Sequence, residues 1–142
     1  MKIVIDSNRL IAALIKEGTT REILLDKNFE FFAPEHIKDE ISSHKYEIIL
    51  KSGLNEEEFE ILVQLMFDFI KIIPKGDYSQ FVDELKTEIK DIDDIPYLAV
   101  CWLIDADGIW THDPHFFNQN KFKIMTNIDM LNISDRNNFE LE

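Results

Sequence analysis

Short apolar segments alternate with longer helical repeats along almost the whole chain, and this alternation limits the fold more than any other feature. The segments are three to five residues long and rich in β-branched or aromatic residues, which is typical of buried strands. Between them, apolar residues recur at three- and four-residue intervals, as on one face of a helix. Strands that alternate with helices predict an α/β fold of three layers (α/β/α), with a central parallel β-sheet of four to five strands. The predicted strands are Lys2–Ile5, Phe29–Ala33, Phe69–Ile73, Gly108–Trp110 and Phe122–Met125.

The helices are predicted from the same spacing and from their capping residues. A proline in the first turn starts a long helix at Pro34, and Gly53 ends it. We expect a short final helix or turn at Ile128–Leu131, so that one domain covers residues 1–133 and residues 134–142 form an exposed polar tail. The other predicted helices are Arg9–Ile15, Arg21–Asp26, Asn55 to Phe67, Phe81 to Ile89 and Ile95–Ile104.

The composition excludes several classes of protein. A chain of 142 residues with 45% apolar residues has enough material for one buried core. No apolar run approaches the roughly 20 residues that cross a bilayer, and the opening MKIVID enters a strand pattern at once. We therefore expect neither a membrane span nor a signal peptide. The single Cys101 lies in an apolar run, where burial is expected, and fits a reducing cytoplasm.

The charge balance also restricts the partners of the chain. It has 28 acidic and 15 basic residues, which gives a formal net charge of −13. Proteins that bind nucleic acid through broad electrostatic attraction normally have a basic face, so this class is disfavoured. The balance instead favours binding of cations or of a basic partner.

Acidic side chains follow two of the predicted strands. Asp6 comes directly after the first strand, and Asp113 follows the fourth in a Thr-x-Asp turn. Ligands of parallel α/β sheets bind beyond the carboxyl ends of the strands, so these two acids converge if their strands are neighbours. Asp94 stands just before an apolar helix, and Glu40 lies near the buried margin of its own helix. Both are therefore further candidates for the same site.

Three stretches of the sequence carry a resemblance to a known family. VIDSNRLIAAL joins an apolar strand to Asp, a small hydroxyl residue and Asn, and APEHIKDEI places a Glu on a helix. DDIPYLAVCWLIDADGIWTHDPHF joins an Asp-bearing helix to a strand and a Thr-x-Asp turn that ends in Phe. In this order and spacing, over nearly the whole chain, the sequence resembles the PIN domain, a nuclease family that includes many bacterial and archaeal toxin ribonucleases.

The resemblance implies a metal-dependent endoribonuclease, with Mg²⁺ or Mn²⁺ as cofactor and RNA as substrate. Members that act as toxins pair with an antitoxin protein, and homodimers are implied by the family. Where many members have a second acid two residues after the Thr-x-Asp acid, this chain has His115, which leaves a second metal position in doubt. The implied catalytic residues are Asp6, Glu40, Asp94 and Asp113; the metal ligands are Asp6, Asp94 and Asp113; the supporting residues are Ser7, Asn8, Asp93 and Thr111.

Elementary chemistry gives the same cofactor without the family. Four carboxylates in one pocket repel each other, so some must bind a proton unless a cation compensates their charge. Ligand sets made of oxygen atoms suit hard ions such as Mg²⁺ and Mn²⁺. An ion of this kind lowers the pKa of a bound water and neutralises charge on a phosphodiester, which fits hydrolysis of a nucleic-acid backbone.

Each acid also has a purely structural interpretation. Asp6 and Asp94 are placed to cap helices, Glu40 to lie on a helix surface, and Asp113 to form a turn before Pro114. A second interpretation of the helical region is a zinc site, because His36, Glu40 and His44 recur four residues apart and two of them could share one ion.

Two other functions use the same features. A PIN-like module without hydrolytic activity would bind RNA or protein through a local basic rim, for which the candidates are Arg9, Lys16, Arg21, Lys38 and Lys45. A phosphoacceptor domain of the receiver type would need an Asp at the end of its third strand. The third predicted strand ends in Ile72-Ile73-Pro74, which argues against a receiver.

Overall fold

The computed structural model of the chain describes residues 1–87 and 89–141, with side chains as far as residue 136. Within these residues, five parallel strands form one sheet. The strands are β1 (Lys2–Ile5), β2 (Glu30–Pro34), β3 (Ile70–Ile73), β4 (Gly108–Trp110) and β5 (Ile124–Met125). Their order across the sheet is β3-β2-β1-β4-β5.

Helices cover the sheet, which confirms the predicted three-layer α/β/α fold. A 3₁₀ helix, Pro114–Asn118, follows β4. The α-helices in the described residues are α1 (Ser7–Ile15), α2 (Thr19–Leu24), α3 (His36–Ser43), α4 (Lys45–Ser52), α5 (Glu56–Phe67), α6 (Lys75–Leu85), α7 (Ile95–Ile104) and α8 (Asn127–Leu141).

The central position of β1 decides where a ligand can bind. The chain runs from β1 outward to β2 and β3, and then returns to the other side of β1 with β4 and β5. Ile5 at the end of β1 pairs with Trp110 at the end of β4, and the next backbone N–H, that of Asp6, donates to the Trp110 carbonyl at 3.0 Å. Strands β1 and β4 are therefore adjacent in the sheet, as the convergence of Asp6 and Asp113 requires. The strand order reverses direction between them, which makes this the switch point of the sheet.

Helix α7 is the most buried helix segment next to this switch point. It packs against β1, β2 and β4 on one side and against α6 on the other. Its apolar residues surround the helix because both sides are covered, as is typical of a fully buried helix. The ring of Trp102 on α7 stacks on Phe81 of α6 with centroids 5.1 Å apart. Packing on both sides holds α7 in place, and its N-terminal end lies near Asp6 at the carboxyl edge of the sheet.

The long helix predicted from Pro34 to Ser52 is wrong, because the structure divides it into α3 and α4 at His44. His44 has φ −101° and ψ 9°, outside helical geometry. Its Nδ1 lies 2.8 Å from the carbonyl oxygen of Glu40, and the Ser43 hydroxyl donates to the same oxygen at 2.9 Å. Side chains that bond to the preceding turn compete with the helical hydrogen-bond pattern, which explains the break.

Two more helices differ from their predicted extents. Helix α6 begins at Lys75, directly after Pro74, and ends at Leu85, earlier than the predicted end at Ile89. Helix α8 runs from Asn127 to Leu141, where a short helix or turn and an exposed tail were expected. Ser134, the first residue of that tail, is buried and donates a hydrogen bond to Asp26. None of the helices in the described residues is both long enough and apolar enough to span a membrane.

Candidate active site

Asp6 and Thr111 join the ends of the two central strands. Asp6 follows β1 and Thr111 follows β4, and both are buried. The Thr111 hydroxyl donates to Asp6 Oδ2 at 2.7 Å, and the Ser7 backbone N–H donates to Asp6 Oδ1 at 2.7 Å. Asp6 therefore caps helix α1, as its structural interpretation requires, and also faces the switch point. Burial raises the pKa of Asp6 to about 6, and the bonds to Thr111 and Ser7 oppose that shift.

The Thr111 hydroxyl orders the turn that carries Asp113. Besides donating to Asp6, it accepts from Asn8 Nδ2 at 3.3 Å and from the Asp113 backbone N–H at 3.0 Å. One donated and two accepted bonds use the full capacity of a hydroxyl group. Asp113 in turn accepts from the His115 backbone N–H at 3.0 Å, which starts the 3₁₀ helix. The predicted supporting residues Asn8 and Thr111 thus link two of the acids.

Glu40 has both of its carboxylate oxygens held by neighbouring elements. The Ser7 hydroxyl donates to Oε2 at 2.8 Å, and the Tyr97 hydroxyl donates to Oε1 at 2.6 Å. These bonds join α3 to α1 and α7. Burial and the charge of Glu40 raise the pKa of Tyr97 far above its ordinary value, so this phenol stays protonated and donates. The interpretation of Glu40 as an ordinary helix-surface residue does not fit these contacts.

Asp94 is buried without the contacts that a buried carboxylate normally has. Only 6% of the residue is exposed, and its Oδ2 has no hydrogen-bond partner. Its side chain does not cap helix α7, so the structural interpretation fails here. Burial, and then the charges of Asp91, Asp113, Asp6 and Glu40, raise the pKa of Asp94 to about 8. A buried carboxylate among other carboxylates is suited to bind a cation. The cation would offset both the cost of burying the charge and the repulsion between the acids.

The charges of Asp6, Glu40 and Asp113 all act on Asp94, and the structure adds a residue that the sequence interpretation missed. Asp91 lies beside Asp94 and is the first of the acids that raise its pKa. The His115 Nδ1 lies 3.7 Å from Asp91 Oδ2 and 3.9 Å from Asp94 Oδ2. Among the described residues, Asp91, Asp94 and His115 are the group whose possible ligand atoms all lie within 4.8 Å of one another. The sequence signal was the acidic run Asp91-Ile92-Asp93-Asp94, in which only the last two acids were considered.

Comparison with known proteins identifies the family. The family model described as the PIN domain matches residues 4–130. The chain belongs to the PIN domain family. No curated protein has significant sequence similarity to it.

A solved structure has the same fold. It is the crystal structure of VapBC2 from Rickettsia felis bound to a DNA fragment from the promoter of these proteins. The match has a TM-score of 0.65 and covers 89% of this chain and 98% of the other, with 16% sequence identity. At this identity the similarity describes the fold, and the PIN domain of this chain has to be interpreted from its own residues.

Asp93, the fourth predicted supporting residue, does not face the other acids in this PIN domain. Its side chain is 67% exposed, and Oδ1 lies 3.6 Å from His36 Nε2. The same His36 nitrogen lies 3.4 Å from Glu40 Oε1. His44, the other half of the proposed zinc pair, turns its Nδ1 back to the Glu40 carbonyl. The break at His44 therefore removes the straight helix face on which the zinc hypothesis depended.

Of the predicted basic rim, Arg9 lies nearest to the acids. Its Nε donates to Asn8 at 3.0 Å, and the charge of Asp6 acts on its guanidinium. Lys45 instead pairs with two glutamates of α5, and Arg21 donates to the carbonyl of Ala13. His112 is turned away, because its Nε2 accepts the Asn127 backbone N–H at 3.1 Å. Arg9 is therefore the basic residue of the PIN domain best placed beside the site.

Proposed function

We propose that this PIN domain is an endoribonuclease that hydrolyses RNA phosphodiester bonds with Mg²⁺ or Mn²⁺ and acts as the toxin of a toxin–antitoxin pair. The observation that carries the proposal is the unpartnered, buried Oδ2 of Asp94 among other carboxylates at the carboxyl edge of the sheet.

The acids fit a hard divalent cation. Asp6, Asp94 and Asp113 offer carboxylate oxygens, the ligands that Mg²⁺ and Mn²⁺ take in proteins. The charges of Asp6 and Asp113 help to raise the pKa of Asp94, so both act on it electrostatically. In this proposal these three residues hold the ion. The ion, when bound, would supply charge neutralisation at the phosphate and an acidified water.

Glu40 is positioned to orient a water and to accept its proton. The bonds from Ser7 and Tyr97 fix its carboxylate plane at the edge of the cluster while 22% of the side chain stays exposed. A carboxylate held at two oxygens keeps one geometry relative to the acids, which is the requirement for general base catalysis. In this proposal the water attacks phosphorus in line with the leaving oxygen, and Glu40 receives the proton.

Substrate binding needs a local positive charge, because the whole chain has a formal charge of −13. Arg9 provides it next to Asp6, where the guanidinium is half-buried and held by Asn8. A fixed guanidinium contacts phosphate oxygens with little loss of conformational freedom. We assign to Arg9 the contact with the RNA phosphate next to the cleaved bond.

The proposed protein partner is an antitoxin that presents basic residues to the acidic cluster. The overall negative charge and the carboxylates around Asp94 favour a basic segment over an acidic one. The structural similarity to VapBC2 is consistent with a complex of this type. A second copy of the chain is the other proposed partner, in a homodimer.

The test is cleavage of single-stranded and hairpin RNA with Mn²⁺, with Mg²⁺ or with EDTA, beside Asp94→Asn and Arg9→Gln variants. We expect cleavage that requires the metal, that Asp94→Asn abolishes, and that Arg9→Gln weakens mainly through a higher KM. Asp83→Asn is the matched control, because Asp83 of α6 is exposed and pairs with Lys86, the residue that follows the helix. Equal cleavage by the parent and the Asp94→Asn variant would contradict the proposal.

The alternative is a PIN-like module that binds RNA or protein without hydrolysis. It would be favoured if the parent binds Mn²⁺ and RNA but cleaves no substrate. DNA of the same sequence tests the class of substrate. If the protein cleaves DNA and not RNA, its substrate is DNA and the assignment of RNA is wrong.

A further inference from the structure

His115 lies among three carboxylates. Its Nδ1 is 3.5 Å from Asp113 Oδ1, 3.7 Å from Asp91 Oδ2 and 3.9 Å from Asp94 Oδ2. The ring is 62% exposed, so packing does not force it into this place. Side-chain atoms that bind one ion at about 2.0 to 2.2 Å are separated by distances of this order.

The buried Asp94 Oδ2 points into this group. It has no hydrogen-bond partner, and it lies 3.9 Å from His115 Nδ1. No hydrogen bond from the protein compensates the free-energy cost of burying this oxygen. Asp94 Oδ2 is therefore a candidate ligand for a bound cation. Asp91 completes the group from the segment that precedes α7.

Solvent reaches the group from one side. A cavity of about 470 Å³ elsewhere is lined by α3 and α6, whereas a separate cavity of about 610 Å³ opens on Asp91 and His115. Lys86, Lys90 and Asn118 also line this larger cavity. An ion bound by Asp91 and His115 would therefore stay accessible to water and to a phosphate group.

We infer that Asp91, Asp94 and His115 form a second cation position, whose imidazole ligand selects a first-row transition ion such as Mn²⁺ over Mg²⁺. Mg²⁺ takes oxygen ligands and keeps its waters, whereas imidazole is a ligand of transition ions. Asp94 is shared with the ion of the proposed function, on which this inference therefore rests. His115 decides the choice of ion at this position.

The first measurement is titration of the metal-free protein with Mn²⁺, in which free Mn²⁺ is counted by electron paramagnetic resonance. We expect two Mn²⁺ per chain. His115→Ala and Asp91→Asn should each weaken one of them at least about tenfold, since even residues that only orient a ligand reach this size of effect. Asp6→Asn should weaken the other and leave the His115 position in place.

The matched control is His112→Ala, which removes a histidine from the same turn. His112 Nε2 accepts the Asn127 N–H and is not one of the grouped ligand atoms. This variant should bind two Mn²⁺ as the parent does. The His115→Asp variant should also bind two ions. At the position that contains residue 115, Mg²⁺ should displace Mn²⁺ at a lower concentration in this variant than in the parent.

Pulsed electron paramagnetic resonance gives a readout that does not depend on affinity. Imidazole bound to Mn²⁺ gives a nitrogen coupling, which we expect in the parent and in His112→Ala but not in His115→Ala or His115→Asp. A parent without this coupling, or a His115→Ala variant with the parent's stoichiometry and affinity, would overturn the inference and leave His115 as an ion-pair partner of the acids. A parent that binds no Mn²⁺ would overturn the proposed function as well, which separates the two failures.

Discussion

The Tyr97 hydroxyl donates to Glu40 Oε1 at 2.6 Å and ties the first turn of α7 to α3. This contact spans 57 positions in the sequence and joins α3, which carries Glu40, to α7, which directly follows Asp94. Tyr97 is buried and remains protonated, so it has a fixed role as donor. The geometry of the acids relative to one another therefore depends on a residue that contributes no carboxylate.

Tyr97→Phe tests this positioning role. We expect kcat to fall about 10- to 100-fold, because Glu40 loses one of its two anchors and small displacements of a catalytic group have effects of this size. The free energy of unfolding should fall by only about 1 kcal/mol, the usual net value of one hydrogen bond. RNA cleavage and chemical denaturation measure the two quantities.

Tyr78→Phe is the matched control for that variant. Tyr78 is also buried, but it lies in α6, where it lines a separate cavity together with Glu35 and His36. It should lose comparable stability without the same loss of kcat. Parental kcat in Tyr97→Phe would show that Ser7 alone holds Glu40.

Thr111→Val removes a hydroxyl while keeping the size of the side chain. Asp6 then loses a donor, and the N–H of Asp113 loses its acceptor, so we expect a loss of about 1 to 3 kcal/mol in the free energy of unfolding. Without the Thr111 bond the pKa of Asp6 should rise further, and Mn²⁺ should bind more weakly near neutral pH.

Calorimetric titration with Mn²⁺ and denaturant unfolding measure the effects of Thr111→Val. Thr126→Val serves as control, because the Thr126 hydroxyl bonds to Asp129 at the start of α8 and not to the site. Unchanged Mn²⁺ affinity in Thr111→Val would contradict the role given to this hydroxyl.

The stability of the metal-free protein should fall as the pH rises from 6 to 8. The pKa of Asp94 is about 8 in the folded chain against an ordinary value of 3.8, so folding takes up a proton in this range. The stabilising contribution of that proton is complete below the unfolded pKa and is lost as the pH passes through the folded pKa. Asp6, with a pKa of about 6, contributes at the lower end of the same range.

Thermal unfolding in EDTA at a series of pH values measures this dependence. Asp94→Asn should flatten the curve between pH 6 and 8, whereas the exposed Asp83→Asn should leave it as in the parent. Excess Mn²⁺ should raise the Tm most at the alkaline end, where the ionised fraction of Asp94 is largest and binding a cation displaces the fewest protons. A parental slope in Asp94→Asn would show that other groups carry the pH dependence.

Gly108→Ala tests the packing that places β4 beside β5. A Cβ on Gly108 would lie 2.6 Å from Met125 Sδ and 3.1 Å from the carbonyl oxygen of Lys123. Part of this overlap involves backbone, so we expect a loss of about 1 to 3 kcal/mol in the free energy of unfolding.

Gly76→Ala is the control for Gly108→Ala, measured by the same denaturant titration. Gly76 lies in α6 with no atom within 4 Å of its added Cβ, so the replacement should be neutral or stabilise the helix by up to about 1 kcal/mol. Equal stability of the two variants would contradict the close packing of β4 on β5.

Local patterns in the sequence determined most of the fold. The β-branched and aromatic runs, such as Lys2–Ile5, specify strands because buried strands need them, and the spacing of apolar residues specifies helices. When strands and helices alternate, a parallel sheet covered by helices buries the apolar residues of both. The break at His44 was missed because it depends on side-chain bonds to one carbonyl, which compete with a helix pattern that the spacing of apolar residues still supports.

Asp6 and Asp113 were predicted as site residues because they follow strands, Asp94 because it stands just before a helix, and Glu40 because it lies near the buried margin of its helix. Only the tertiary structure decided that β1 and β4 are neighbours, that Tyr97 anchors Glu40, and that Asp91 and His115 approach Asp94. These contacts join residues far apart in the chain, through packing of α7 on the sheet. The physical reason is that a residue type and its neighbours fix local conformation, whereas the partner of a side chain across the molecule is fixed by how whole elements pack.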